Sequence, residues 1–234
     1  MLYHSERIYG IDISKYQHVH KRRVYGIDWR NLRITRLGHT ADRNALGAVD
    51  YPVSFVYIKS TEGLTVFNPY YTQDVRAARR YGFPVGAYHF FSTRPAMSQA
   101  DYFLKKSRLQ KGDLPPMLDV ELSDRRIAAM GGRDVLFREM LVWLKEIGRR
   151  SGTTPIIYVS QDFVNRYMPF APEELKAYPV WVARYGEYKP YVHLLYWQLS
   201  PDGRVRGIQG DVDIDVFNGS EEQFKRYLRT QTVK

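Results

Sequence analysis

Leu114-Pro115-Pro116-Met117-Leu118-Asp119-Val120-Glu121 is an apolar run that ends in two carboxylates one residue apart. Side chains alternate along a strand, so Asp119 and Glu121 share one face while Val120 packs on the other. Two like charges that close cannot both ionise freely, and one pKa is pushed up. A protonated carboxyl beside an ionised one is what cleavage of a glycosidic bond requires. An Asp-x-Glu pair alone is weak evidence, because solvated strand edges carry many of them. Here the pair follows Pro-Pro and Met-Leu, which reads as a buried strand. Barrels of alternating strands and helices hold their catalytic groups where the strands end.

Similar runs rich in β-branched and aromatic residues recur on both sides of this one, bounded by Gly, Pro or Asn. They are Ile8–Ile13, Ser54–Lys59, Pro84–Phe91, Thr154–Val159, Pro179–Arg184, Leu194–Gln198 and Val212–Val216, which with Pro116–Glu121 make eight. Helical patterns at Asn68–Tyr81, Pro95–Gln110 and Arg133–Arg150 each meet a glycine at or just beyond the end, namely Gly82, Gly112 and Gly152. Between the last three strands the gaps are too short and too rich in Gly and Pro for full helices. Glu221–Arg229 reads as a closing helix. Strand–helix alternation implies parallel strands and right-handed crossovers. The expected fold is α/β, a TIM-like (β/α) barrel with helices missing between its last strands. No linker, internal repeat or low-complexity tract divides residues 1–234, so a single catalytic domain is expected, with its core at 8–219. The insertion between Trp29 and Tyr51, centred on residues 30–50, reads as a long, mostly polar loop or a short helix.

Composition narrows the function classes. Hydrophobic residues are 44% of the 234, enough for a packed core, which excludes disorder. No stretch approaches the roughly 20 apolar residues of a membrane span, and Met1-Leu2-Tyr3-His4-Ser5 is no leader of the charged-then-apolar kind. Cysteine is absent, which rules out disulfides and thiol catalysis and leaves the compartment open. Lys and Arg number 35 against 25 acids, a net charge of +10 that favours anionic partners. No recognisable nucleic-acid-binding module accompanies that charge, so no nucleic-acid partner is expected.

Other acids fall on the strands as well. Asp12 lies near the end of the first, and Asp213 and Asp215 on the eighth. First and eighth strands are neighbours in a closed barrel, so Asp12 and Asp213 are expected at one rim. Acids that converge at a barrel mouth cost stability unless they serve chemistry or a metal. No Asp-rich loop of calcium spacing is present and the six histidines are dispersed, so neither a metal nor another cofactor is expected.

With these residues in place, the chain resembles the glycoside hydrolase family 25 lysozymes, the Chalaropsis-type muramidases. Gly10-Ile11-Asp12-Ile13-Ser14 with Gln17, Ile27-Asp28-Trp29, Phe55 to Gly63, Gly86-Ala87-Tyr88-His89-Phe90 and Pro116 to Glu121 carry the resemblance. So do Trp181 to Tyr185, Trp197-Gln198, and Gly207-Ile208 with Val212-Asp213. Order and spacing agree from Tyr9 to about Gly219; Ser60, where alanine is common, is a small departure. The resemblance implies a flattened barrel with irregular last strands and hydrolysis of the β-1,4 bond between N-acetylmuramic acid and N-acetylglucosamine in peptidoglycan. It makes Glu121 the general acid, sets Asp119 and Asp213 beside the reacting sugar, and matches Asp12 to the acid of the first strand. Tyr88, Tyr158, Tyr185 and Trp197 correspond to cleft aromatics, although a core role for Trp197 is an open alternative. Lys59 and Glu62 fall in a family motif, either as substrate-binding residues or as a structural ion pair. Asp28 and Asp215 are expected to be structural, and Gly86 to allow close packing beside the site.

The resemblance implies bacterial cell-wall peptidoglycan as partner and a place outside the cytoplasm, secreted, periplasmic or wall-associated; a monomer is expected. Two alternatives compete. A non-catalytic glycan-binding relative would have lost catalytic acids, and all four are present. A chitin-active barrel would carry more acids ahead of its glutamate, and Leu114 to Leu118 supplies none. Because Asp119 and Glu121 approach a sugar from the same side, Asp119 is poorly placed as a nucleophile on the opposite face. Attack by the substrate's own 2-acetamido group is therefore the expected second half of the mechanism.

Overall fold

A computed structural model describes residues 7–20, 22–39, 47–183 and 192–234. Eight of its strands close on one another: β1 (Tyr9–Ile13), β6 (Val56–Glu62), β8 (Val85–Phe90), β9 (Met117–Asp119), β10 (Ile156–Ser160), β11 (Val180–Ala183), β12 (Leu194–Arg206) and β13 (Val212–Phe217). Helices cover the barrel: α1 (Tyr71–Arg80), α2 (Ala96–Ser107), α3 (Asp124–Ala129), α4 (Arg133–Ser151), α5 (Gln161–Arg166), α6 (Glu173–Lys176) and α7 (Glu221–Thr230). Short strands complete the set: β2 (Val19–His20) with β3 (Arg23–Val24), β4 (Arg33–Arg36) with β5 (Ala48–Pro52), and β7 (Val66–Phe67) against β6. Among the described residues no helix is long and apolar enough to cross a membrane.

The strand pleat divides the core into two layers. Ile11, Ile58, Leu118, Ile157, Val182 and Val216 point outward and pack against the helices. α4 meets them with Leu136, Phe137, Met140, Trp143, Leu144 and Ile147, an apolar stripe at helical spacing. Phe55, Tyr57, Trp181, Tyr196 and Phe217 point inward and fill the barrel, and Phe224 of α7 plugs its lower end. The rings meet edge-on or tilted, with Tyr57 and Trp181 centroids 5.0 Å apart at 80°. Each such side chain, taken fully out of water, contributes about 1.5–3 kcal/mol. The interior has room for them because β1 and β8 carry glycine where they pass the rings. A Cβ at Gly10 would lie well under 3 Å from the Phe55 ring, and one at Gly86 equally close to Tyr57.

Neighbouring strands from β1 through β12 run parallel around the barrel, but β13 runs antiparallel to both β12 and β1. This corrects the expectation of parallel strands throughout. The cause is chain length: a parallel return needs a crossover of about a dozen residues or more, and only residues 207–211 separate β12 from β13. A tight turn then forces reversal. The stretch after Trp29 also differs from expectation. Within its described part it forms a single 3-10 turn at Trp29–Asn31 and then β4 and β5, which extend β12 as a three-stranded ribbon, rather than a polar loop. Ile34 and Val205 face each other across that ribbon and are buried, and Ser200 Oγ donates to the Leu37 carbonyl.

Candidate active site

Reversal of β13 decides where its acids lie. Asp213 stands near the start of β13, in register with Asp12 near the end of β1, so both reach the rim where the parallel strands end. Asp119 is the last residue of β9, in register with Tyr158 of β10, and Glu121 follows two positions on. These four carboxylates border one pocket of about 240 Å³, together with Ser14, Tyr16, Lys59, Tyr88, Phe90, Met117, Tyr158 and Gln198. A larger hollow of about 760 Å³ runs between α4 and the last residues of the chain, but its single acid is Glu174.

The pocket floor is the aromatic barrel interior, and this apolar floor sets the electrostatics. Asp12 is 8% exposed; burial first, then the Glu121 charge, pushes its carboxyl up to about 7, although the Gln198 amide opposes the rise. Gln198 Nε2 donates to Asp12 Oδ2 at 2.9 Å and the Tyr158 hydroxyl donates to Gln198 Oε1 at 3.1 Å. Asp213 is pushed up to about 9 by burial and by the charges of Asp12 and Glu121. Asp119, 6% exposed, is held well above the ordinary carboxylate range by burial and then by Glu121. Glu121 is exposed at the mouth and is raised as well, by the apolar surroundings on its inner side, against the Lys59 charge and the neighbouring Asp119 carboxyl. The more buried Asp119 therefore keeps the pair's proton more firmly in the empty cleft. Tyr88, 7% exposed among the four acids, stays a hydroxyl donor because burial and their charges raise it far above its usual range.

Deeper still lies Asp215, wholly buried behind Asp12 and Asp213 with the Trp181 indole beside it. Burial and the Asp12 charge keep it neutral well above the ordinary range. Lys59 Nζ pairs with Glu62 Oε2 at 2.7 Å and lies 4.4 Å from the centre of the Phe90 ring. The ammonium thereby joins the wall of the pocket while Glu62 sits outside it. Among the described residues no group of three or more acids and histidines has the arrangement that holds a metal ion.

The structure brings together Asp12, Asp119, Glu121, Asp213, Tyr88, Tyr158 and Lys59. It does not bring Trp197 to the cleft. Trp197 is on the outward face of β12, packed in the layer beneath the helices with the Arg7 guanidinium 5.6 Å from its ring. Its neighbour Gln198 takes the inward position instead. Tyr185 lies outside the described residues. Sequence reasoning also passed over Tyr16, which is 69% exposed on the lip, and Phe90. Tyr16 follows from the Ser14–Gln17 capping box that turns the chain away from β1: Ser14 N donates to Gln17 Oε1 at 2.7 Å.

Comparison with known proteins places the chain in a family. The profile of Glycosyl hydrolases family 25 matches residues 11–208. The uncharacterized protein YegX of Escherichia coli O6:H1 is 33% identical over 228 residues, 96% of this chain and 74% of that protein. Lysozyme M1 of Streptomyces globisporus is 29% identical over 229 residues, 91% of this chain and 68% of that protein. The crystal structure of the bacterial lysozyme from Streptomyces coelicolor superposes with a TM-score of 0.74 at 27% identity, covering 93% of this chain and 94% of that one.

Proposed function

The chain belongs to glycosyl hydrolase family 25, and on that premise we propose that it is a peptidoglycan hydrolase, a muramidase cutting the β-1,4 bond between N-acetylmuramic acid and N-acetylglucosamine. The observation that carries the reading is the convergence of Asp119, Glu121, Asp12 and Asp213 at one mouth of the barrel over an aromatic floor. Such a setting keeps carboxyls protonated near neutral pH, which is the state an acid catalyst needs.

In this proposal Glu121, the exposed member of the pair, protonates the leaving oxygen. A sugar seated in the cleft strips water from Glu121 and raises its pKa. An acetamido N–H donated to Asp119 favours that carboxyl's charged form. Both effects move the shared proton from Asp119 to Glu121, so binding arms the acid. The 2-acetamido oxygen then attacks the anomeric carbon as the bond to the leaving oxygen breaks. Asp119 or Asp213 orients the acetamido nitrogen and offsets the positive charge on the ring that results. Tyr88 donates a hydrogen bond at the floor, and Tyr158, through Gln198, fixes Asp12. The substrate implies action outside the cytoplasm, and a single chain supplies every residue named, in keeping with a monomer.

The test is clearance of purified cell walls with mass analysis of the products. Glu121→Gln keeps the shape but delivers no proton, so turnover should fall roughly 100- to 10,000-fold with unchanged folding. Turnover like the wild type's would remove Glu121 from the role. Glycan with a free amine at the cleaved position should resist hydrolysis. A glycosyl-enzyme adduct on any carboxylate would replace the acetamido route by a protein nucleophile.

A further inference from the structure

The ribbon of β4, β5 and the outer part of β12 takes no part in closing the barrel, yet it carries an unusual face. Across it Arg204 lies opposite Arg36, and Arg206 opposite Arg33. The intervening pair, Val205 and Ile34, is buried, and with a register shift at this point Arg36, Arg204 and Arg206 are exposed while Arg33 is half-buried. Like charges directly opposite one another weaken a strand pair, and folding gives no reason to set four guanidiniums there. Two acids offset the charge in part. Arg33 Nε donates to Asp50 Oδ1 at 2.6 Å, and an Arg204 guanidinium nitrogen lies 3.0 Å from Asp211 Oδ1. Arg36 has no ion pair among the described residues, and Arg206 has none within ion-pair distance, its charge reaching only the Asp50 that Arg33 already holds.

This face continues the cleft. Asp211, the partner of Arg204, is two residues before Asp213. Its carbonyl accepts from Gln17 Nε2 at 3.1 Å, on the turn that carries Tyr16 of the lip. The charges of Asp211 and Asp202 reach the Asp213 carboxyl. Beyond Asp211 a recess of about 380 Å³ opens, bordered by Arg36, His39, Asp202 and Arg204.

We propose that this arginine face is a subsite for the free carboxylates of the peptide stems attached to the glycan being cut. The inference rests on the muramidase reading above. A guanidinium offers a planar fork that matches a carboxylate. A strand lying across the mouth past Asp213 would present its peptide substituent to the ribbon, where Arg36 has no ion pair among the described residues and Arg206 shares Asp50 with Arg33.

The experiment compares wild type with Arg36→Gln/Arg206→Gln on three glycan preparations free of phosphate-bearing polymer: strands without peptide, strands with uncrosslinked stems, and the same stems with their carboxylates converted to amides. The double variant should raise KM about 3- to 10-fold on stem-bearing strands, the size that one or two exposed ion pairs give. It should leave KM unchanged on peptide-free strands. Amidation should raise the wild-type KM by a similar factor and erase the difference between the proteins. Thermal stability should not fall, because the substitutions relieve opposed charges. An equal change on peptide-free strands, or no change on stem-bearing ones, overturns the subsite and leaves the muramidase reading intact. Failure of the wild type to cut any of the three preparations overturns both. A response of the variant to an added phosphodiester polymer alone, with none to the stems, also overturns it.

Discussion

Asp12→Asn should make the protein more stable at neutral pH while impairing its chemistry, and the size of the gain follows from where Asp12 lies. The side chain is 8% exposed, and burial, with the Glu121 charge behind it, moves its pKa from 3.8 to about 7. An acid whose folded pKa is raised adds its full stability below the unfolded value, and that stability is lost as pH rises through the folded value. The window is therefore from about pH 4 to about pH 7. At 1.36 kcal/mol per unit, the loss comes to about 4 kcal/mol once Asp12 is ionised in both states. Asparagine cannot ionise, and its carbonyl still accepts the Gln198 amide that Asp12 now takes at 2.9 Å. The Asp12 charge also raises Asp213, so its removal lightens a second load in the same direction. Sharing of the proton among these acids lowers the gain for any one of them, which gives an expected advantage of about 2–4 kcal/mol at pH 8 and near zero at pH 4. Urea unfolding of both proteins across that range, at fixed ionic strength, measures it. A difference that stays flat or shrinks as pH rises would refute the argument that these carboxylates are held at a cost in stability.

In the occupied cleft Asp119 has yielded the proton and its charge helps to hold Glu121 protonated, so Asp119→Asn should lower the upper limb of the pH–kcat profile; an upper limb that does not move means the two carboxyls are uncoupled. Gly86→Ala places a methyl against the Tyr57 ring, which is locked between Trp181 and Tyr196 in the barrel interior. Overpacking of that kind costs about 1–3 kcal/mol, read as a lower urea midpoint, and an unchanged midpoint would mean that the interior can yield.

Much of this architecture was legible because each barrel strand is a short apolar run closed by punctuation. Every one of the eight runs, from Ile8–Ile13 to Val212–Val216, overlaps a barrel strand, and Glu221–Arg229 lies in the closing helix α7. The reversal of β13 was not, because the runs ending at Gln198 and starting at Val212 leave residues 199–211 between them, about the length of a crossover, and only the extension of β12 to Arg206 shortens that gap to a turn. The ribbon was not either. Arg33–Arg36 is mostly polar and Ala48–Pro52 is a short mixed segment that ends in proline, and they become strands because β12 continues past the barrel and offers an edge to β4, on which β5 then pairs. That partner lies far away in sequence.

Trp197 shows a second limit, one that belongs to strands in general. Alternation says that Trp197 and Gln198 face opposite ways and does not say which faces in. Parity is fixed only across the sheet, through the register that links Asp119 to Tyr158, Tyr158 to Trp181 and Trp181 to Tyr196. Once Asp119 points inward, so must Tyr196, which turns Trp197 out and Gln198 in. The inward turn of Asp119 thus determines the orientation of a side chain three strands away, and the same chain of partners delivers the Gln198 amide to Asp12. A one-residue slip at any of those pairings would carry Gln198 out of the barrel and leave Asp12 without its donor. Strand register, more than the identity of any one acid, is what assembles this mouth.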